Sequence, residues 1–360
     1  MKFFRYILPA VALAMCMNSV TLAADNKGDI QRFNGINGLK LPEWQVKATH
    51  SSGKLLLSDS PEMVPEDGIT YQDTVDGEAR LFFHHVNATD KPKKIVVLFE
   101  NSGDKPANIT VTKFGLGGPG LDYLAIGKEV QMEYFADNNL YLVEVPAGGS
   151  QQLSTELADA VVQNNELVNG MYDFKTDRPV KVSVMMLPAD ADAKEFAKTA
   201  KVLPADQWRL RGTFEGADRL LVSDQAYNPK KDGPVAITLA DNKLDKYVTG
   251  IDKTDGSMVL NYGNYGVVYK MFIPSSYDGK IAYHLNPRGG EYAGGIGLHY
   301  QHQFQTVVPT PEKTTSFGST IKDFAYIGTF DGGQSLWLSF SPPGASNLPV
   351  KLVLAPDEGQ

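Results

Sequence analysis

Ile69-Thr70-Tyr71-Gln72-Asp73-Thr74-Val75-Asp76-Gly77-Glu78-Ala79-Arg80-Leu81-Phe82-Phe83-His84-His85-Val86 is the stretch that sets the fold class. Two runs rich in β-branched and aromatic residues, Tyr71 to Val75 and Ala79 to Val86, flank an Asp-Gly pair. Asp and Gly tolerate positive φ, so the spacing predicts a β-hairpin with a primed turn. The dipeptide recurs at 67-68, 232-233, 255-256, 278-279 and 331-332. Two further hairpins are expected where it separates Val267 to Ile273 from Ile281 to Leu285, and Phe324 to Phe330 from Leu336 to Phe340.

Working outward, Asn108-Ile109-Thr110-Val111-Thr112 alternates as a half-wet antiparallel strand does. Leu121 to Phe135 carries apolar residues near one helical stripe and is expected to plug one end of the first domain. Leu-Pro-Ala-Asp occurs at 187-190 and 203-206, and Asp192 with Glu195 forms a capping pattern, which predicts a connector helix over Ala193 to Lys201. The reading is all-β: two antiparallel β-sandwich domains, Ig-like or jelly-roll-like, with a short helix in the first and a connector helix between them. The expected divisions are 1–23 signal peptide, 24–55 an arm laid on the first domain, 56–188 first sandwich, 189–210 connector, 211–356 second sandwich and 357–360 tail.

Residues 1–23 read as an export signal, with Lys2 and Arg5 ahead of the apolar stretch Tyr6 to Met17 and Thr21-Leu22-Ala23 as a small-residue cleavage site. That stretch is too short to span a bilayer, so no transmembrane anchor is expected. Localisation is therefore expected to be periplasmic or extracellular. The sole cysteine, Cys16, lies within it, which leaves the mature chain without disulfides, thiolate zinc sites or cysteine nucleophiles. The formal charge is −8, and loss of Lys2 and Arg5 with no carboxylate makes it −10. Such an acidic chain lacks the basic footprint of a nucleic-acid partner.

The phrases Ser60-Pro61-Glu62-Met63-Val64 to Gly68-Ile69, Phe83-His84-His85-Val86-Asn87, Glu100-Asn101-Ser102-Gly103-Asp104-Lys105-Pro106, and Leu285-Asn286-Pro287-Arg288-Gly289-Gly290 with Tyr292-Ala293-Gly294 bring in a family. Through them the chain resembles exported bacterial proteins of unknown function from cyanobacteria and some Firmicutes. Similar chains sometimes stand beside a copper amine oxidase-like N-terminal module. The resemblance spans most of residues 55–355, implies export, and brings no catalytic residue set.

Gly115-Leu116-Gly117-Gly118-Pro119-Gly120 satisfies the dinucleotide pattern. Its preceding strand alternates and Pro119 interrupts the phosphate turn, so a glycine-rich sandwich loop is the expectation and no cofactor is assigned. Ser51-Ser52-Gly53-Lys54 has the S-x-x-K spacing without partner motifs, and Asp252 to Gly256 is an acidic turn. The residues best equipped to hold a glycan or protein ligand are Tyr262, Tyr265, His284, Asn286, Arg288, Glu291 and Tyr292, which combine flat rings with fixed hydrogen-bonding groups on loops of the second domain. Function is thus expected to be that of an exported, non-catalytic cell-envelope protein, structural or binding envelope polysaccharide or protein. One alternative is a copper- or zinc-handling or oxidase-accessory protein using His84, His85, His299 and His302. Another is a polysaccharide-active enzyme, which requires paired carboxylates facing one cleft.

Overall fold

A computed structural model describes residues 26–32, 37–51, 53–136, 140–288 and 290–357. The signal-peptide reading lies outside the described residues. The chain is all-β, built as two sandwich-like halves with short helices.

In the first half the expected hairpin at Asp76-Gly77 is absent, because one strand, Gly68–Asn87, runs straight through it. Gly77 takes φ of 84° and sits opposite Thr176, where the pairing of this strand with Leu167–Pro188 slips between Thr176 and Val180. The positive φ thus serves a bulge, which bends both long strands. Beyond the bend, Leu167–Pro188 exchanges one neighbour for another: residues 167–176 pair with Ala107–Gly120 and residues 181–188 with Lys93–Glu100. The curled sheet closes on a core of Leu81, Phe83, Phe99, Val111, Tyr172 and Val182.

The second half packs a five-stranded sheet, in order Ile30–Arg32, Asp323–Asp331, Lys280–Asn286, Val350–Pro356 and Val235–Leu239, on a six-stranded one. The six run Thr306–Thr310, Gly294–Tyr300, Leu336–Phe340, Tyr269–Phe272, Arg219–Val222 and Lys47–His50. Leu285, Ile327 and Leu352 from the first sheet meet Met271, Leu298 and Leu338 from the second in one core. The two other expected hairpins fall here. Tyr269–Phe272 and Lys280–Asn286, like Asp323–Asp331 and Leu336–Phe340, lie in different sheets, so both Asp-Gly turns carry the chain across the sandwich. Asp255-Gly256 does lie between antiparallel neighbours, Thr249–Ile251 and Met258–Leu260, but only its glycine takes a positive φ, 79°, so the turn is not of the primed kind expected.

Two expectations of placement are corrected. The arm lies on the second half: Ile30–Arg32 and Lys47–His50 are edge strands of its two sheets, and Trp44 packs edge-on to Tyr227 at 5.5 Å. The helix Tyr123–Ala136 does not plug an end but lies between the halves. Its Gln131 donates to the Ser341 carbonyl and accepts from the Gly295 amide at 3.1 Å, and Lys128 reaches the Pro311 carbonyl. Sheet pairing also crosses the expected 189–210 divide, since Arg211–Glu215 pairs with Lys54–Ser58. Asp192 caps its helix as read, though the helix ends at Ala197, and the second Leu-Pro-Ala-Asp makes an Asx turn at Asp206.

Candidate functional site

On the Gly68–Asn87 strand, alternation sends Leu81 and Phe83 into the first core and puts Arg80 and Phe82 on the side facing the second half. Arg80 stands directly opposite Asp173 on Leu167–Pro188. Its Nε and Nη2 donate to both oxygens of Asp173, at 2.6 and 3.0 Å, and its Nη1 donates to Asp218, on the loop before Arg219–Val222. Asp218 also accepts from the Val268 amide at 2.9 Å, and Tyr134 of the interposed helix donates to Asp173 at 2.8 Å. Burial opposes the charge on Arg80, but the Asp173, Tyr134 and Asp218 groups outweigh it and hold the guanidinium charged. Burial pushes the Tyr134 phenol well up, so it remains a donor.

This fork is part of the wall of a cleft of about 480 Å³ between the halves. Lys113 lies over the Tyr134 ring at 4.9 Å, and Lys54, Glu78 and Lys175 from the first half and Lys270, Gln305 and Ser339 from the second are among its charged and polar lining. Lys270 and Ser339 are cross-strand partners on the outer face of the six-stranded sheet. Two residues further along the same face, Phe272 and Trp337 pair with their rings stacked 5.0 Å apart. Paired carboxylates do face this cleft, but Asp173 spends both oxygens, and Asp218 one, on Arg80. The Asp173 carboxylate is thus held by Arg80 and Tyr134, and one oxygen of Asp218 by Arg80 and the Val268 amide.

A second polar cluster lies buried beside the cleft-forming strands. His84 Nδ1 is 3.2 Å from Asp59; burial opposes its charge and the carboxylate more than restores it, so its pKa is raised, while burial lifts Asp59 to about 6. Burial drives His85 down to about 3. Its Nδ1 is 2.9 Å from the Pro61 carbonyl, and its Nε2 is 2.8 Å from Ser58 Oγ, which is itself 2.9 Å from Thr70. A serine joined to a histidine that is oriented in turn has the spacing of an activated nucleophile. Ser58 and His85 are 0% and 1% exposed, so no substrate carbonyl reaches them.

The ligand-binding candidates are placed differently from one another. His284, Asn286 and Tyr292 are buried, Tyr265 and Arg288 half-buried, Tyr262 and Glu291 exposed. Asn286 donates to the Ile321 and Asp323 carbonyls at 3.1 and 3.0 Å and accepts from the Arg288 amide at 3.2 Å, so it closes a turn. Asn261 does the same for Tyr265, whose hydroxyl donates to the Ser346 carbonyl at 3.1 Å. Of the metal candidates, His84 and His85 are buried and His299 and His302 exposed; among the described residues no group of three or more His, Cys, Asp or Glu is placed to hold a metal. Asp252 accepts from Arg211 at 2.7 Å and Asp255 from Arg209 at 2.7 Å, so the acidic turn is neutralised by arginines. Gly115 and Gly117 lie on a strand, not a loop. A Cβ at either would meet the Val130 or Ile126 carbonyl, so these glycines let the helix approach.

Neither a protein-family model nor a curated protein matches the chain. Among solved structures, the Lactobacillus farciminis oxalate decarboxylase formate complex aligns over 86% of this chain and 87% of its own, at 9% identity and TM-score 0.16. A Paenibacillus xanthan lyase aligns over 91% of this chain and 26% of its own, at 9% identity and TM-score 0.20, and tomato vicilin over 84% and 86%, at 8% and 0.12. At these scores the likenesses carry no functional argument. No helix among the described residues is long and apolar enough to cross a membrane.

Proposed function

We propose that this is an exported, non-catalytic cell-envelope protein that binds a glycan chain in the cleft between its halves. The observation that carries the reading is the Arg80 fork, which ties Asp173 and Asp218 together across the cleft. It fixes a polar trough on strands of both halves and engages both oxygens of Asp173. Loops and clefts held by rigid sheets suit polymer binding, and the stacked Phe272 and Trp337 lie one row beyond the trough for a chain that extends out of it. The export reading of residues 1–23 supplies the compartment. Affinity electrophoresis against a panel of neutral and acidic polysaccharides tests it, with Ser339→Tyr filling the trough from the outer sheet face. Retardation of the wild type and its loss in the variant are expected, with no new chain ends released. Absence of retardation by every polysaccharide, or full retardation of the variant, overturns the reading, and release of chain ends replaces it with an enzyme.

A further inference from the structure

Most cations that line the cleft are engaged by the protein itself. Arg80 is held by Asp173 and Asp218, Lys54 stands 3.6 Å from Glu215, Lys175 stands 3.6 Å from Glu78, and Lys113 lies over the Tyr134 and Phe135 rings at 4.9 and 5.8 Å. A carboxylated ligand would have to break such pairs to use them, and exchanging one exposed ion pair for another gains little. The whole chain carries −8, so a polyanion is also repelled on approach. Paired ions still present N–H donors beside carboxylate acceptors, and a sugar hydroxyl, donor and acceptor at once, can meet both.

The outer face of the six-stranded sheet continues this lining. Lys270 and Ser339 belong to a row completed by Leu220 and Gly297, and the next row on the same face is Val222, Phe272, Trp337 and His299. That second row crosses four adjacent strands with no carboxylate, ammonium or guanidinium in it. At about 4.8 Å per strand it runs for about 14 Å, longer than a single sugar ring. Phe272 and Trp337 are half-buried at its centre, and His299 is exposed at its end. We infer that the ligand is a neutral glycan in an extended conformation, its hydroxyls among the paired ions of the trough and the apolar faces of its rings along the Phe272–Trp337 row. This rests on the glycan-binding reading above and names its substrate class.

The experiment measures the affinity of the full chain for hydroxyethylcellulose and for carboxymethylcellulose, one backbone in neutral and anionic form, at low and at physiological salt, with cellohexaose and glucose as competitors. The wild type is expected to bind the neutral polymer at least ten-fold more tightly, to change less than two-fold with salt, and to be displaced by the hexamer and not by glucose. Trp337→Ala is expected to lose at least ten-fold, and Trp337→Phe, which keeps a ring against Phe272, to stay within three-fold, with thermal midpoints reporting that each variant is folded. Equal or tighter binding of the anionic polymer overturns the inference and leaves the glycan reading standing, as does binding of other polysaccharides with neither of these. A folded Trp337→Ala with wild-type affinity overturns the placement along the row. Binding of no polysaccharide overturns both the inference and the reading on which it rests.

Discussion

Acid should destabilise this protein well above the range where ordinary carboxylates titrate, because two buried histidines are held neutral. Ser58 Oγ lies 2.8 Å from His85 Nε2 and 2.9 Å from Thr70, whose hydroxyl donates to the Val184 carbonyl at 3.2 Å, while His85 Nδ1 lies 2.9 Å from the Pro61 carbonyl. Burial disfavours a second proton on the ring, with the neighbouring His84 adding to it, and the pKa falls to about 3. His284, buried beneath the arm with Nε2 3.0 Å from Gln31, falls to about 4 for the same reason of burial. From pH 6 down to 4 the unfolded chain therefore takes up protons that the folded one refuses at both sites. Each costs about 1.4 kcal/mol of stability per pH unit as pH falls. Asp59 works the other way: its pKa is raised to about 6, so the folded state binds the extra proton and gains about 1.4 kcal/mol per unit as pH falls. His84, raised, is protonated in both states over this window and adds no slope. The lowered carboxylates Asp177, Asp192, Asp255 and Asp323 act below pH 4. The net expectation is a loss of about 3 kcal/mol between pH 6 and 4. Urea midpoints at pH 4, 5 and 6 and constant ionic strength measure it. His284→Gln, whose amide can replace Nε2, should flatten the dependence, and His85→Asn/His284→Gln should invert it. A His284→Gln slope equal to that of the wild type refutes the reasoning.

Arg80→Met should cost about 3 kcal/mol in urea unfolding, since it leaves Asp173 and Asp218 without their shared cation, and Arg80→Lys should recover little because an ammonium cannot span both carboxylates. Gly127→Ala should destabilise by about 1–3 kcal/mol, the reverse of the usual helix preference for Ala, because its Cβ would lie 2.2 Å from the Gly344 carbonyl across the interface between halves. Trp44→Ala should lose about 3 kcal/mol, as it removes the ring against Tyr227 and the indole donor 3.0 Å from Ser223. A loss under about 1 kcal/mol would make the arm an accessory.

The strands of 107–112 were readable because alternation against one wet face is a local pattern, and the all-β class followed from many such runs. The Asp-Gly pairs misled because a primed turn, a bulge and a sheet-to-sheet corner can share one local signal. At Gly77 only the partner strand decides, and that strand is about a hundred residues away in sequence. The cleft was less legible still. Arg80 meets Asp173 and Asp218 at separations of 93 and 138 residues, so no motif window contains them. The available clue was a lone arginine inside Ala79-Arg80-Leu81-Phe82-Phe83, an ion in an otherwise apolar run that burial would force to find carboxylates. The loops at Asn261 and Asn286 drew attention for their polar groups, yet an Asn that opens a glycine-containing turn is most easily satisfied by its own backbone.

The threading of the chain bears on how the cleft can work. The arm supplies an edge strand to each sheet of the second half before Lys54–Ser58 enters the first, and Arg211–Glu215 then pairs back onto that strand. Cutting at 189–210 would strip Lys54–Ser58 of a neighbour, and the second half without its arm would lose Ile30–Arg32 and Lys47–His50. The halves are therefore spliced through shared sheet and through the Tyr123–Ala136 helix, rather than joined by a linker on which they could swing. A trough built across such a splice is preformed, so a ligand gains affinity without the ordering cost of closure.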